Sequence, residues 1–371
     1  MADKNKHYNL KPIKKTGATY RVIYGQRGTG KTFSVLLDAY KRWLEDKTKL
    51  AIVRRMDEDF TGANSAKAYY DMLIRDANGD NNIAELSDGI YTGVEYYNGR
   101  YWLTQPGDDG KNHRTTEFIA YGFSISSCEH YKGTRYNDVS QIMFDEFIAS
   151  RYYLPDEFVL FQNLLSTIIG SRPGIVIYML ANSISQFSPY WREMGLTRVK
   201  EQKAGTIDVY TYGESGLTVA VEQTGAVKAT ETARMYFAFD NPKLKMITDA
   251  GQWAIDLYPH CPCKYRPKDI VFTFFILFDD RIYQCEVVNT GEMQFLFIHI
   301  KTSELQDPEH DLIFSLERNA RPNWRVNIIR PVLPVEKKIA TFFATNKVFY
   351  QDNTVGNAIE NYIKQVRQIN V

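Results

Sequence analysis

The sequence predicts an α/β protein whose first half is built on a mainly parallel sheet, and three observations carry that expectation. Short β-branched and aromatic runs read as buried strands: TYRVIY at 19–24, LAIVRR at 50–55, SQIMFDEF at 140–147 and GIVIYMLAN at 174–182. The first run is followed by KTFSVLLDAYKRWLED, with Phe33, Leu36, Leu37, Tyr40 and Leu44 at helical spacing. Between them stands GQRGTGKT, a glycine-rich bend joining strand to helix. Strand, helix, strand order with wholly apolar strands calls for crossover connections and a sheet covered by helices.

The 371 residues exceed what one hydrophobic core supports, and the texture of the chain suggests where it divides. Residues 76–116, with ANGDNN, EYYNGR and PGDDGKN, carry turn signals of an inserted hairpin region. After about residue 205 short alternating strands appear, TIDVYTY and LTVAVEQ, and then a charged connector, ATETARMYFAFDNPKLKMI. The expected division is 1–225, a linker at 226–255, and 256–371, the last rich in antiparallel-type strands and ending in the helix NAIENYIKQVRQI.

Composition is that of a folded globular chain, 44% hydrophobic and 24% charged, and a net charge of +1 places any nucleic-acid contact in a local patch or in an assembled ring. Four cysteines, Cys128, Cys261, Cys263 and Cys285, are too few and too unevenly spread for a disulfide framework. No run reaches membrane-helix length and the start lacks a signal-peptide core, so the expectation is a soluble intracellular protein with no membrane partner.

Gly25, Gln26, Arg27, Gly28, Thr29, Gly30, Lys31 and Thr32 fit G-x-x-x-x-G-K-[ST], the phosphate loop, in its required place after a strand and opening a helix. Glycines let backbone amides converge on phosphates, and the helix N-terminus adds a favourable dipole. Lys31 would neutralise the β and γ phosphates of ATP, and the Thr32 hydroxyl would ligate Mg²⁺. IMFDEF is an apolar strand ending in Asp145 and Glu146, the first placed to hold the Mg²⁺ and the second to act as general base, which argues for a hydrolase. A guanine-specific site would want N-K-x-D, and Asn346-Lys347 continues as Val348-Phe349.

Asn182 ends another strand at the carboxyl edge, where it would contact the γ-phosphate or its water, or else cap the next turn with Ser183. Arg172 in IIGSRPG is either an arginine offered across a subunit boundary or a solvated loop residue. Arg54 and Arg55, ending the second strand, could serve phosphate, DNA, a neighbouring subunit or a surface ion pair.

With these in hand, the chain resembles the DNA-packaging ATPases of small short-tailed phages, the Picovirinae or phi-29-like group. The resemblance rests on Arg27-Gly28 with Gly30-Lys31-Thr32, Val53-Arg54-Arg55, Met143-Phe144-Asp145-Glu146-Phe147, Leu180-Ala181-Asn182-Ser183 and Ser188-Pro189-Tyr190, and it covers roughly residues 19–195. It implies a P-loop ASCE ATPase domain, a small linker, and an α+β RNase H-like C-terminal domain that has lost its nuclease acids. It implies ATP hydrolysis that moves double-stranded DNA into a preformed capsid through the portal (connector), by a homo-oligomeric, pentameric ring in the host cytoplasm, at the prohead. By that resemblance Lys31 and Thr32 contact phosphate and Mg²⁺, Asp145 is the metal carboxylate, Glu146 the catalytic base, Asn182 the sensor and Arg172 the trans finger. Asp57 departs from the pattern, standing where a relative is basic, and nothing in the residues argues for an RNA ring.

FTFFILFDDRIYQCEV reads either as a first nuclease strand with Asp279 and Asp280 or as a plain hairpin around an acidic turn; two-metal cleavage needs more converging carboxylates. His260, Cys261, Cys263 and Cys285 have weak spacing for zinc. Basic candidates for DNA are Arg192, Arg198, Lys200 and Lys203, then Arg318, Arg321, Arg325 and Arg330; Lys4, Lys6, Lys11, Lys14 and Lys15 form a basic N-terminal arm. Other classes remain open at this point: a helicase-like or DNA-transfer ATPase, and a nucleotide-gated assembly scaffold.

Overall fold

A computed structural model of the chain describes residues 7–26, 28–61, 66–149, 153–154, 156–181, 188–225, 258–326 and 328–369. It divides into two compact units, Met1–Ser150 with Asp156–Ala254, and Arg151–Pro155 with Ile255–Val371. The expected linker at 226–255 lies outside the described residues.

The first unit is a nine-stranded sheet in the order β3-β4-β5-β2-β6-β7-β1-β9-β8. Its strands are β1 (Tyr20–Tyr24), β2 (Lys49–Arg54), β3 (Gly93–Tyr97), β4 (Arg100–Pro106), β5 (Asn112–Ser124), β6 (Val139–Asp145), β7 (Val176–Ala181), β8 (Thr206–Tyr212) and β9 (Leu217–Gln223). From β5 through β9 the pairings β5-β2, β2-β6, β6-β7, β7-β1 and β1-β9 are all parallel, while β3, β4 and β8 add antiparallel edges. The mainly parallel sheet expected from sequence is therefore present. Its central strands are buried along their length, as strands covered on both faces must be.

Helices α1 (Lys11–Lys15), α2 (Lys31–Asp46), α3 (Glu58–Thr61), α4 (Asp71–Ile74), α5 (Asn82–Leu86), α6 (Glu157–Ile169) and α7 (Pro189–Glu193) flank this sheet. α2 buries Phe33, Leu36 and Tyr40 as their spacing predicts, with Val35, Ala39 and Trp43 beside them, while Leu37 and Leu44 are only partly buried. The inserted hairpin region is real, but its last strand runs on to Ser124: it pairs antiparallel with β4 between Asn112 and Tyr121, and Ala120–Ser124 also pairs parallel with β2 on its other side. Polar, exposed residues at its start conceal the apolar FIAYGFS that carries it into the sheet.

The second unit is a six-stranded sheet in the order β14-β13-β10-β11-β12-β15. It comprises β10 (Ile270–Phe278), β11 (Arg281–Asn289), β12 (Gln294–Lys301), β13 (Ile313–Ser315), β14 (Trp324–Arg325) and β15 (Val348–Tyr350), with helices α8 (Pro334–Ala344) and α9 (Asn353–Ile369). β10, β11 and β12 form an antiparallel meander, and β13, β14 and β15 join in parallel. The buried side of α9, with Val355, Ile359 and Tyr362, belongs to this unit's core, and Tyr362 meets Phe278 edge to face. The acidic turn is a tight hairpin: Phe278 pairs with Arg281, and Asp279 and Asp280 between them have φ of 55° and 58°. Two successive left-handed residues make the tight turn whose twist matches the flanking strands, and Asp tolerates that region better than most side chains. Among the described residues no group of three or more His, Cys, Asp and Glu is placed to hold a metal ion, and no helix is long and apolar enough to cross a membrane.

Candidate functional site

Three parallel strands bring the site together: β1 delivers the glycine loop, β6 the paired acids, and β2 the two arginines, all at their carboxyl ends, where open α/β sheets collect ligands. Gly30, at φ 79° and ψ 22°, is the left-handed residue from which α2 departs, a conformation that a Cβ would penalise. Gly25 is required for space, because a Cβ there would collide with the side chain of Thr224. Lys31, only 3% exposed, folds back over the loop, its Nζ donating to Gln26 O at 2.6 Å and Thr29 Oγ1 at 3.2 Å. Burial pushes its ammonium down to about 8, against the opposing pull of Asp145. A cation so poorly solvated is primed for an anion.

Thr32 Oγ1 donates to Asp145 Oδ2 at 3.2 Å, so hydroxyl and carboxylate meet across a sequence separation of 113. Burial raises the Asp145 carboxyl, with Arg54 and the hydroxyls of Tyr69 and Thr32 working the other way. Glu146 follows in the left-handed region at φ 58°, a strained setting for a residue with a Cβ. That backbone is held from several sides: Glu146 N–H donates to Asp145 Oδ1 (3.0 Å), Phe147 N–H to Leu180 O (3.1 Å), and Arg55 Nη1 to Glu146 O (3.2 Å). The strain turns the Glu146 side chain out of the sheet, where it is 49% exposed.

Within the chain, Arg54 and Arg55 both make internal ion pairs. Arg54 Nη2 stands 2.8 Å from Glu146 Oε2, its Nε pairs with Asp59 at 3.3 Å, and Nη1 donates to the Tyr69 hydroxyl at 3.1 Å. Arg55 binds the buried Glu157 at 2.8 Å and Phe147 O at 2.7 Å. Tyr190 completes this support, donating to the other Glu157 oxygen at 2.8 Å from within a cluster of Phe144, Phe147, Phe158 and Phe161. Ser188 caps the short α7 by accepting from Tyr190 N. The Ser-Pro-Tyr run thus props the acidic strand end from beneath.

Arg172 is placed elsewhere. Its guanidinium donates to Ile168 O (2.6 Å), Ile169 O (3.2 Å), Asn137 O (3.0 Å) and Val139 O (2.6 Å), tying the end of α6 to the start of β6, the edge of the sheet opposite the loop. Arg27 and Asn182 lie outside the described residues. Of the basic candidates for DNA, Arg192 pairs with Glu193, Arg198 lies over Tyr210 and donates to Val209 O, and Arg325 binds Glu336; Lys203, Arg318 and Arg321 are exposed. Lys14 pairs with Asp38.

Sequence reading missed the N-terminal segment. Tyr8 N–H donates to Thr29 O at 3.0 Å, Ser34 Oγ donates to Tyr8 O at 2.6 Å, and the His7 ring stacks on Phe33 with centroids 3.7 Å apart. The aromatic-polar run HYNL ahead of the first strand was the available signal. Tyr69 and Glu157, whose neighbours lie far away in sequence, offered none.

The fold is a mixed α/β one on a mainly parallel sheet, in which the glycine bend after β1 and the Asp-Glu pair ending β6 lie at the same carboxyl edge. The chain belongs to the podovirus DNA encapsidation protein (Gp16) family, whose model matches residues 112–318. DNA packaging proteins of Bacillus phages PZA and phi29 are each 25% identical over 195 residues, 51% of this chain and 50% of theirs, so the chain spans about half the length of the curated relatives it matches. Among solved structures, the Phi-28 gp11 DNA packaging motor is similar over 99% of both chains at a TM-score of 0.53 and 16% identity. The bacteriophage Phi-29 viral genome packaging motor assembly is similar over 97% of this chain and 99% of that one, at a TM-score of 0.55 and 17% identity. At such identities the likeness is one of fold.

Proposed function

We propose that this protein is an ATP hydrolase that drives double-stranded viral DNA into a preformed capsid through the portal, acting as a homo-oligomeric, pentameric ring at the prohead in the host cytoplasm. The observation that carries the reading is the convergence of Lys31, Thr32 and Asp145 beside a glycine loop at the carboxyl edge of the sheet. Family membership supports the packaging role, as does the naming of its relatives as DNA packaging proteins.

The residues suit Mg²⁺ as well as phosphate: a hydroxyl and a carboxylate 3.2 Å apart are hard oxygen donors, the set that this ion prefers. Thr32 and Asp145 would hold it, and when bound it would neutralise charge on the β and γ phosphates. Lys31 leaves its two loop acceptors to pair with phosphate oxygens. Glu146 takes a proton from the attacking water once its carboxylate is released from Arg54. That carboxylate is paired with Arg54 at 2.8 Å, so its release has to precede its work as a base. Asn182 as sensor and Arg172 as trans finger belong to this reading on the resemblance alone; Arg172 would have to give up four carbonyl contacts to reach a neighbour.

The division at 1–225, 226–255 and 256–371 is part of the same proposal, with the last segment a vestigial RNase H-like domain. Three antiparallel strands, β12-β11-β10, continued in parallel by β13 and β14, support that assignment. The test is steady-state ATP turnover with linear duplex DNA, with single-stranded DNA and without DNA. Stimulation by duplex supports the motor; preference for single strands would make the protein a helicase-like enzyme instead.

A further inference from the structure

Thr224 follows β9 at the carboxyl edge of the sheet, one strand out from β1 and against the first glycine of the loop. Its N–H donates to Tyr24 O at 2.8 Å, and its side chain points at Gly25, where a Cβ would strike Oγ1. The residue is 7% exposed, and among the described residues Oγ1 has no hydrogen-bond partner. A buried hydroxyl left unpaired costs stability, and a ligand that supplies the missing bond recovers that loss on binding.

The sheet order indicates which part of a ligand could do so. Asp145 ends β6 on one side of β1, and Thr224 follows β9 on the other. Thr32 bonds Asp145 and Lys31 feels its charge, which assigns the terminal phosphate to the β6 side of the loop. The opposite end of a nucleoside triphosphate then lies toward β9. There Thr224 stands two residues beyond Glu222, whose carboxylate accepts from the Tyr8 hydroxyl at 2.5 Å, so the N-terminal segment and the end of β9 form one wall.

We propose that Thr224 is a specificity-determining residue whose hydroxyl hydrogen-bonds the nucleoside portion of the bound nucleoside triphosphate. The inference rests on reading residues 25–32 as a nucleotide loop. Its test separates nucleoside from phosphate: binding of Mg·ATP and of Mg·tripolyphosphate, which lacks a nucleoside, is measured by calorimetry and by thermal shift on the full chain. Thr224→Val is expected to bind ATP about tenfold more weakly, the worth of one hydrogen bond. It should bind tripolyphosphate as wild type does, and melt at or above the wild-type temperature, since a methyl replaces an unpaired hydroxyl. Thr224→Ser, which keeps the hydroxyl, should bind ATP as wild type does. Unchanged ATP binding by Thr224→Val, equal loss of both ligands, a lower melting temperature, or weakened ATP binding by Thr224→Ser would each overturn the proposal. Lys31→Ala serves as the control: if wild type and Lys31→Ala alike bind neither ligand, the nucleotide reading itself fails and this inference with it, whereas an unaffected Thr224→Val against a binding wild type removes this inference alone.

Discussion

Replacing Arg55 by alanine tests whether the acidic strand end is held as described. The guanidinium and Glu157 are 11% and 1% exposed, 2.8 Å apart, and the same arginine donates to Glu146 O and Phe147 O. Removing one partner of a buried pair leaves the other charge poorly compensated, which costs about 3–5 kcal/mol. For a unit of this size that corresponds to a fall of roughly 6–20 °C in its melting temperature. Replacing both members by apolar side chains of similar volume removes the stranded charge, so Arg55→Met/Glu157→Met should lie closer to wild type than either single substitution. Chemical and thermal unfolding of the full chain, followed by tryptophan fluorescence, with Trp43 and Trp191 buried in the first unit, reads both quantities. A loss below about 1 kcal/mol for Arg55→Ala, or a double variant as unstable as the sum of the singles, would refute a buried, mutually dependent pair.

Three further outcomes follow from the same geometry. Lys31 has an ammonium that burial brings down to about 8, and bound phosphates would draw it back up, so nucleotide binding takes up a proton above that pH. Affinity should therefore be flat below pH 8 and weaken by up to about tenfold per pH unit above it, with proton uptake visible by calorimetry in two buffers of different ionisation enthalpy. A flat profile to pH 9.5 would contradict that, as Lys31→Arg would be expected to abolish the dependence. The linked stability term has the matching sign: because the folded value is depressed, charging Lys31 penalises the fold at pH below about 8, and the penalty fades as pH rises from there towards the ordinary lysine value. Arg54→Ala frees the Glu146 carboxylate from its 2.8 Å partner and should change turnover while leaving nucleotide affinity within about twofold, measured as kcat against Kd; equal shifts in both would show that Arg54 binds the nucleotide instead. Arg172→Ala should lower the melting temperature of the first unit, because four carbonyls lose their donor, and an unchanged melting temperature would contradict that structural role.

Local chemistry made the loop and the acid pair readable in the sequence. Gly25 to Thr32 encode their conformation in consecutive residues, and an apolar strand that stops at Asp145 announces its own end. The partners of Arg54 and Arg55 were not readable, because Glu146 and Glu157 stand 92 and 102 positions away and only the fold decides that they meet. Helix α6 escaped notice because EFVLFQNLLSTII is apolar around much of its circumference, as a buried helix is, and shows a weak periodic signal. In the second unit the sequence left the turn at Asp279-Asp280 open, and the backbone forms it as a tight hairpin with two left-handed residues. The run HYNL marked the N-terminal segment as unusual, but the place of Tyr8 against Thr29 is a tertiary fact.

The most direct test of the central claim is ATP turnover by the full chain with linear duplex DNA, comparing wild type with Glu146→Gln. A base that touches the attacking water but not the phosphates should, when neutralised, lower turnover by about 10²–10⁴-fold while ATP still binds. Turnover by Glu146→Gln at the wild-type rate, or no turnover by wild type with any DNA, would contradict the account.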